Sequence, residues 1–330
     1  MYRYPSIISN KGSLRMSETK SCSAFKTSIG GQALMEGILM RGPKKEAIVV
    51  RKPDGTLEEK VEEVTSPKDK FAPFGWPLIR GSVNFVDTMI KGVKALTYSA
   101  SFVPEDDGEP DKFDRWIEKH FSAEKAQKII IGISVVIGIA FSVGLFILLP
   151  TVLAGLFYKL VESRILRNLI EGLIRIGIFL LYMILASKMK EIKRVWMYHG
   201  AEHKTIFCYE AGLPLTVENA RIQPRLHPRC GTSFMIIVMV VSILVFSVVN
   251  LESVWLRMAL RLALLPVTVG ISYELIKYAG RHDNRFTRII SAPGKALQLI
   301  TTQEPDDSML EVAIRSLELV KPEEAGTDNW

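Results

Sequence analysis

Cysteine is scarce in this chain: Cys22, Cys208 and Cys230 are the only three in 330 residues. Three thiols build no disulfide framework, so burial and hydrogen bonding must hold the fold together. Histidine is sparse too, at five. Acidic residues are almost missing from Met1 to Ser28, where Glu18 stands alone, and no apolar core interrupts that stretch. It lacks the plan of a secretory signal and reads as a disordered tail, or as residues ahead of a start at Met16. Its low acid content is the one trait it shares with transit peptides. Glycines cluster at Gly30, Gly31, Gly37 and Gly42, yet their spacing matches neither a Walker loop nor a dinucleotide fingerprint. The sequence carries no internal repeat and no nucleic-acid-binding motif, so no nucleic-acid partner is expected.

The longest absence is of charge. No charged residue occurs between Ile129 and Tyr158, a run long enough to cross a bilayer core, which takes about 20 apolar residues. Three further apolar runs follow: Leu169–Ala186, Phe234–Leu251 and Trp255–Tyr278. One such run could be a buried helix of a large soluble core; four point to a membrane. Pro150 ends the first run, and Pro266 inside the fourth should kink that helix and free a carbonyl at membrane depth.

Basic residues set the expected orientation. Lys112, Arg115, Lys119, Lys125 and Lys128 precede the first run, eight more lie between Lys188 and Arg229, and Arg281, Arg285, Arg288 and Lys295 follow the fourth. The opposite side holds Lys159, Arg164 and Arg167 in one short loop and Glu252 in another. The bias puts the N-terminus, the central segment and the C-terminus in the cytoplasm. The net charge of +7 suits basic flanks facing anionic lipid, so membrane lipid is the expected partner.

Outside the runs, "AIVVRK" and "TLEEKVEEV" flank Pro53-Asp54-Gly55 and predict a β-hairpin. The clustered glycines read as tight turns or close backbone approaches in a small β-unit. Glu36, in an apolar stretch, is either a paired buried acid or a site residue. Val83, Val86, Met89, Ile90, Val93 and Leu96 follow helical spacing, predicting an amphipathic helix that lies on the membrane surface or packs on the hairpin. Near the C-terminus, Pro293-Gly294 predicts a break, and a last helix is expected from about Asp307, with Leu310, Ala313, Ile314 and Leu317 on one stripe.

Chemistry concentrates in the central segment. In "YHGAEHKTIFCYE", His199 and His203 stand four apart, on one helical face, with Glu202 beside the second. This is the His-x-x-Glu-His order in which the Glu can act as a general base beside a metal. "LHPRCGTSF" adds His227 and Cys230 just before the third run. Imidazole nitrogen and thiolate sulfur suit a divalent ion, zinc in particular. The expected ligands are His199, His203 and His227, with Cys230 as a fourth ligand or a nearby thiol, and Glu202 as the catalytic base. Glu274, near the end of the fourth run, is a further candidate ligand. The alternative is a polar cap in which the imidazoles bond carbonyls and each other. Within the runs, Glu171 and Arg175 can pair at i and i+4, and with Arg261 they suggest a buried polar network or a solute path.

Five motifs in order, "GGQALMEGILMRGP", "YHGAEHKTI", "HPRCGTSF", "LPVTVGISYELIK" and "QLITTQEPDD", resemble the YqhQ-like family of bacterial membrane proteins over about Ile29 to Leu317. The resemblance implies a predicted metal-dependent enzyme of the bacterial cytoplasmic membrane. It points to His199, Glu202, His203, His227 and Cys230 and implies no substrate.

The expected architecture is a mainly α polytopic membrane protein with about four transmembrane helices and a small N-terminal α/β cytoplasmic region. Residues 1–28 form the tail, 29–127 the hairpin and amphipathic helix, 128–280 the membrane domain with its His/Cys segment at 188–233, and 281–330 a cytoplasmic helical segment. The leading functional expectation is a metal-dependent hydrolase at the cytoplasmic membrane face, acting on a lipid head group or a membrane-associated peptide. The rivals are a non-enzymatic assembly or regulatory protein with a structural metal, and a small-solute transporter using Glu171, Arg175 and Glu274.

Overall fold

The computed structural model describes residues 25–103, 123–157, 161, 163–247, 253–282, 284–324 and 326–329. The tail before residue 25, Cys22 and the acidic loop after residue 103 lie outside the described residues.

The chain is mainly helical, with one four-stranded antiparallel sheet near its start, in the order β1-β2-β3-β4. β1 is Gly30–Leu34, β2 Gly37–Arg41, β3 Lys45–Arg51 and β4 Leu57–Glu63. The expected hairpin is thus β3–β4, closed by Pro53-Asp54-Gly55, where Gly55 takes a φ of 86° and the Asp54 carboxylate accepts from the Thr56 amide at 2.9 Å. The glycine-rich stretch before it supplies two further strands in place of turns alone. Gly37 pairs with Leu34 and Val50 in register, where a Cβ would press on the Val49 carbonyl at 2.5 Å. Close approach, and not positive φ, is what that position requires. Glu36 forms the β1–β2 turn at a φ of 51° and pairs with Arg194 at 2.6 Å, which makes it a paired turn acid.

The sheet has two covered faces, because strand side chains alternate. On one face Ile38, Met40, Ala47 and Val49 are fully buried. They meet the helices that complete the main hydrophobic core: α6 (Lys190–Glu210), α7 (Val217–Arg221) and α11 (Asp307–Val320). The predicted last helix is α11, capped by Asp306, and its stripe of Met309, Leu310, Ala313 and Leu317 fills this core. The C-terminal segment therefore completes the N-terminal β-unit, with the His-bearing helix α6 packed against both. Over the other face lies the C-terminal half of α2 (Ile79–Ala100), tied by Lys91 to Glu46 at 3.2 Å and by Arg41 to Asp87 at 3.3 Å. Short helical turns α1 (Pro67–Lys70) and Ala72–Gly75 lead into α2. The outer strand β4 carries LEEKVEE, a charged edge that discourages pairing with another sheet.

Most of the remaining helices are strongly apolar. α3 (Ala123–Val143) continues through a π-helical turn, Gly144–Leu148, into α4 (Leu149–Gly155). The wider turn sits directly before Pro150, whose missing N–H would otherwise break the ladder. α5 (Arg164–Ala186), α8 (Gly231–Ser247), α9 (Val254–Arg281) and α10 (Arg285–Thr301) follow, and α8 contacts α5, α9 and α10. Three stretches are long and apolar enough to cross a membrane: Ile129–Gly155, Ile165–Ala186 and Trp255–Arg281. α8 is equally apolar but has 17 described residues, since 248–252 are not described, so the third expected run matches only in part.

α9 passes unbroken through Pro266. The expected break at Pro293-Gly294 does not occur: both lie inside α10. Tertiary packing overrides the local signal there. Gly294 lies against Ser233 so closely that a Cβ would collide, and Leu297 is buried with Phe179 and Ile236.

Candidate metal centre

The helix α6 presents His199 and His203 on one side, with ring centroids 4.4 Å apart. The connector between α7 and α8 brings Cys230 to them. One donor atom from each of His199, His203 and Cys230 lies within 4.8 Å of the others. His203 and Cys230 are buried, and His199 is partly exposed.

Two backbone carbonyls orient the imidazoles. His199 Nδ1 lies 2.8 Å from the Thr301 carbonyl at the end of α10, and His203 Nδ1 lies 2.5 Å from the Arg225 carbonyl in the connector. A carbonyl only accepts, so each Nδ1 carries the proton and each Nε2 keeps its lone pair. This is the arrangement by which outer partners fix metal-ligating histidines. His199 Nε2 is 3.0 Å from Cys230 Sγ, and His203 Nε2 has no hydrogen-bond partner among the described residues. Such an orphaned buried nitrogen costs free energy unless something takes its lone pair.

The segments that carry these carbonyls are themselves held. Lys204, buried on α6, donates to the Arg221 and Gln223 carbonyls at 2.8 and 2.9 Å, and Arg225 donates to the Thr302 carbonyl at 2.5 Å. Gly200 lets the chain after α10 lie directly on α6: a Cβ there would strike the Gln303 carbonyl, and the Gln303 amide donates to Trp196 at 2.8 Å.

Burial pushes the Cys230 thiol up, but the adjoining His203 and the Thr232 hydroxyl and amide outweigh it, and the thiol falls below its usual range. Burial holds His203 below the usual imidazole range, favouring the neutral ligand form. The centre thus offers two imidazoles with Nε2 directed inward and an acidified thiol, a donor set that suits zinc.

Glu202 adjoins this group. Its Oε1 accepts from the Gly31 amide of β1 at 3.0 Å, while Oε2 is buried without a partner among the described residues. Burial raises its carboxyl from 4.5 to about 7, against the opposing charge of His199. The folded state therefore holds this proton where the unfolded chain releases it. The stability linked to Glu202 is whole below pH 4.5 and is lost as pH rises through about 7, a swing of about 3 kcal/mol. Unfolding of metal-stripped protein at about pH 5 and about pH 8 should reveal this loss in wild type and remove most of it in Glu202→Gln. Equal pH dependence in both proteins would refute the assignment.

His227 is the expected ligand that the structure turns elsewhere. Its Nε2 faces Glu210 at 3.8 Å and Arg229 at 3.3 Å, and its Nδ1 lies 3.4 Å from the Arg229 amide. Gln298 clamps its backbone on both sides, accepting from the amide at 2.7 Å and donating to the carbonyl at 2.8 Å. Its ring still packs 5.5 Å from that of His203. Of the four expected ligands, three converge and His227 braces the loop that carries the third. Glu274 pairs with Arg80 at 2.6 Å and is not part of the cluster. Cys208 is buried in the main hydrophobic core. Sequence reading missed the carbonyls of Thr301 and Arg225 and the Gly31 amide, because backbone groups carry no residue-type signal. Thr232, two residues past Cys230, could have been noticed.

A family described as "Protein of unknown function (DUF1385)" matches residues 76–323. The "Uncharacterized protein YqhQ" of Bacillus subtilis (strain 168) is 34% identical over 303 residues, covering 91% of this chain and 94% of the relative. No solved structure matches the chain. Neither description names a metal, a substrate or an activity.

Proposed function

The chain belongs to the DUF1385 family, and we propose that this member is a four-span protein of the bacterial cytoplasmic membrane whose cytoplasmic domain is a metal-dependent hydrolase. His199, His203 and Cys230 would hold the ion, and Glu202 would act as the base. The observation that carries the reading is the convergence of three ligand-type side chains, with His203 Nε2 and Glu202 Oε2 both buried and unpartnered among the described residues.

The membrane half of the reading rests on three helices of spanning length, a fourth apolar helix, and basic residues concentrated on one side. The enzymatic half rests on ligand number. Three protein ligands leave a coordination position open, as in catalytic zinc sites, whereas structural sites close all four. A bound divalent ion supplies Lewis acidity, acidifying water and polarising a carbonyl or phosphoryl oxygen. The chain supplies the rest. The Thr301 and Arg225 carbonyls keep both imidazoles in the ligating tautomer. The Gly31 amide anchors one oxygen of Glu202, leaving the other to take a proton and return it. A lipid head group or a membrane-associated peptide is the substrate class that fits a centre beginning one residue before the apolar helix α8.

One observation favours the rival reading of a structural metal in a non-enzymatic assembly protein: His203 and Cys230 are buried, at 1% and 8% exposure. Glu202→Gln separates the two. As an enzyme, the variant should retain its metal by elemental analysis and lose about 100-fold or more of its activity in a cell-based complementation assay. Full complementation with full metal content would favour the structural reading.

A further inference from the structure

The predicted amphipathic helix exists as α2, but its apolar stripe faces away from the protein. Val86, Met89 and Ile90 are 54%, 48% and 53% exposed. The approach to the helix is of the same kind: Phe71, Trp76 and Ile79 are 55%, 60% and 42% exposed. A contiguous apolar surface of this extent on a folded chain calls for an apolar cover.

The opposite side of α2 identifies that cover. Its first turns are docked on the interior of α9, one of the helices long enough to span a membrane. Ser82 donates to the Pro266 carbonyl at 2.6 Å, Arg80 to Glu274 at 2.6 Å, and Asn84 to the Tyr273 hydroxyl at 3.1 Å. Small residues make the approach close: a Cβ on Gly81 would meet Tyr273 at 2.7 Å, and one on Gly270 would meet the Leu78 carbonyl at 2.5 Å. Leu78 turns the chain into the helix with a φ of 67°, a conformation that apolar residues adopt only when their surroundings enforce it. The polar atoms of this stretch are thus spent on the protein, and the apolar ones point outward. From Glu274 to Pro266, α9 advances about 12 Å, and half a hydrocarbon core is about 15 Å. Whatever surrounds α9 at that level also surrounds the start of α2. At its other end α2 leaves that level and lies over the sheet, where Gly92 packs on Gln32.

We propose that residues 71–93 form a half-inserted membrane wedge, with the Phe71–Ile79 approach and the Val86–Met89–Ile90 stripe among the acyl chains of the cytoplasmic leaflet. This rests on the membrane reading above and extends it to a segment that does not span.

The test uses the full chain reconstituted in phosphatidylethanolamine–phosphatidylglycerol vesicles. Cysteines added one at a time as Val86→Cys and Ile90→Cys, both on the exposed stripe, are labelled with an environment-sensitive fluorophore, and unsubstituted protein, which carries the three native cysteines, provides the blank. Val136→Cys, on the candidate span α3, and Glu62→Cys, on the charged outer strand, are reference positions. Lipids carrying a nitroxide on the acyl chain should extinguish most of the emission at Val86, Ile90 and Val136 and little at Glu62. Quenching at Val136 with Val86 and Ile90 behaving as Glu62 does would overturn the wedge and leave the membrane reading standing. Blue-shifted but unquenched emission at Val86 and Ile90 would overturn it in favour of a protein surface as the cover. No quenching at Val136 would overturn the membrane reading and the wedge with it.

Discussion

His203→Ala should purify with metal at background level, while His227→Ala should retain the wild-type content. The contrast follows from geometry that the two residue types share only on paper. His203 directs an unpartnered Nε2 into the cluster, its Nδ1 secured by the Arg225 carbonyl. His227 spends its ring on Glu210 and Arg229. A ligand held at a thousand times its dissociation constant stabilises the fold by about 4 kcal/mol. A chelator should therefore lower the melting temperature of wild type and of His227→Ala and leave that of His203→Ala nearly unmoved. Elemental analysis of the three proteins, with chelator titration of each melt, checks both parts. Equal metal in wild type and His203→Ala would end the ligand assignment, and loss of metal in both His203→Ala and His227→Ala would reinstate the ligand set expected from spacing.

The second large effect is expected at Glu171. In the helical bundle its carboxylate accepts from Thr151 at 2.7 Å, bonds Arg261 directly, and lies 3.5 Å from Arg175. Both guanidiniums also lie 5.4 Å from the ring of Phe246. Two buried cations share one anion, so the three positions are not equivalent. Removing either arginine leaves a neutral pair, but removing Glu171 leaves two cations facing each other without a counter-ion. Breaking a buried pair by deleting one partner costs about 3–5 kcal/mol. Glu171→Gln should fall at the upper end of that range, and Arg261→Met and Arg175→Met well below it. Combining Glu171→Leu with both methionine changes should recover most of the loss, since apolar replacement of a whole buried ionic group is often neutral. Thermal unfolding in detergent ranks the variants. Equal costs at all three positions would show that charge count is not what governs this network.

Much of this was legible in the residues. Long uncharged runs, a turn triplet between alternating strands, and a helix start at Asp307 are local signals, and each describes physics confined to a few turns of chain. The i, i+4 pairs His199–His203 and Glu171–Arg175 belong to the same class, because helical geometry alone brings their side chains together.

Other features depended on residues far apart in sequence. Nothing local in the last helix says that it completes a core with strands more than 250 positions earlier, or that Pro293 and Gly294 stay helical because Ser233 and the Leu297 cluster hold them. The outward face of α2 was equally hidden, since an amphipathic period tells which residues share a face and not what lies opposite. The division between His203 and His227 is the clearest case. Both are histidines near a thiol in sequence, and only the fold assigns one a carbonyl that frees its Nε2 and the other a guanidinium, that of Arg229, which occupies it. Chain chemistry by itself determined which groups could bind and which segments were apolar. The tertiary structure decided which lone pairs were left to bind and which apolar faces were left uncovered, because both are set by partners that the chain supplies from a distance.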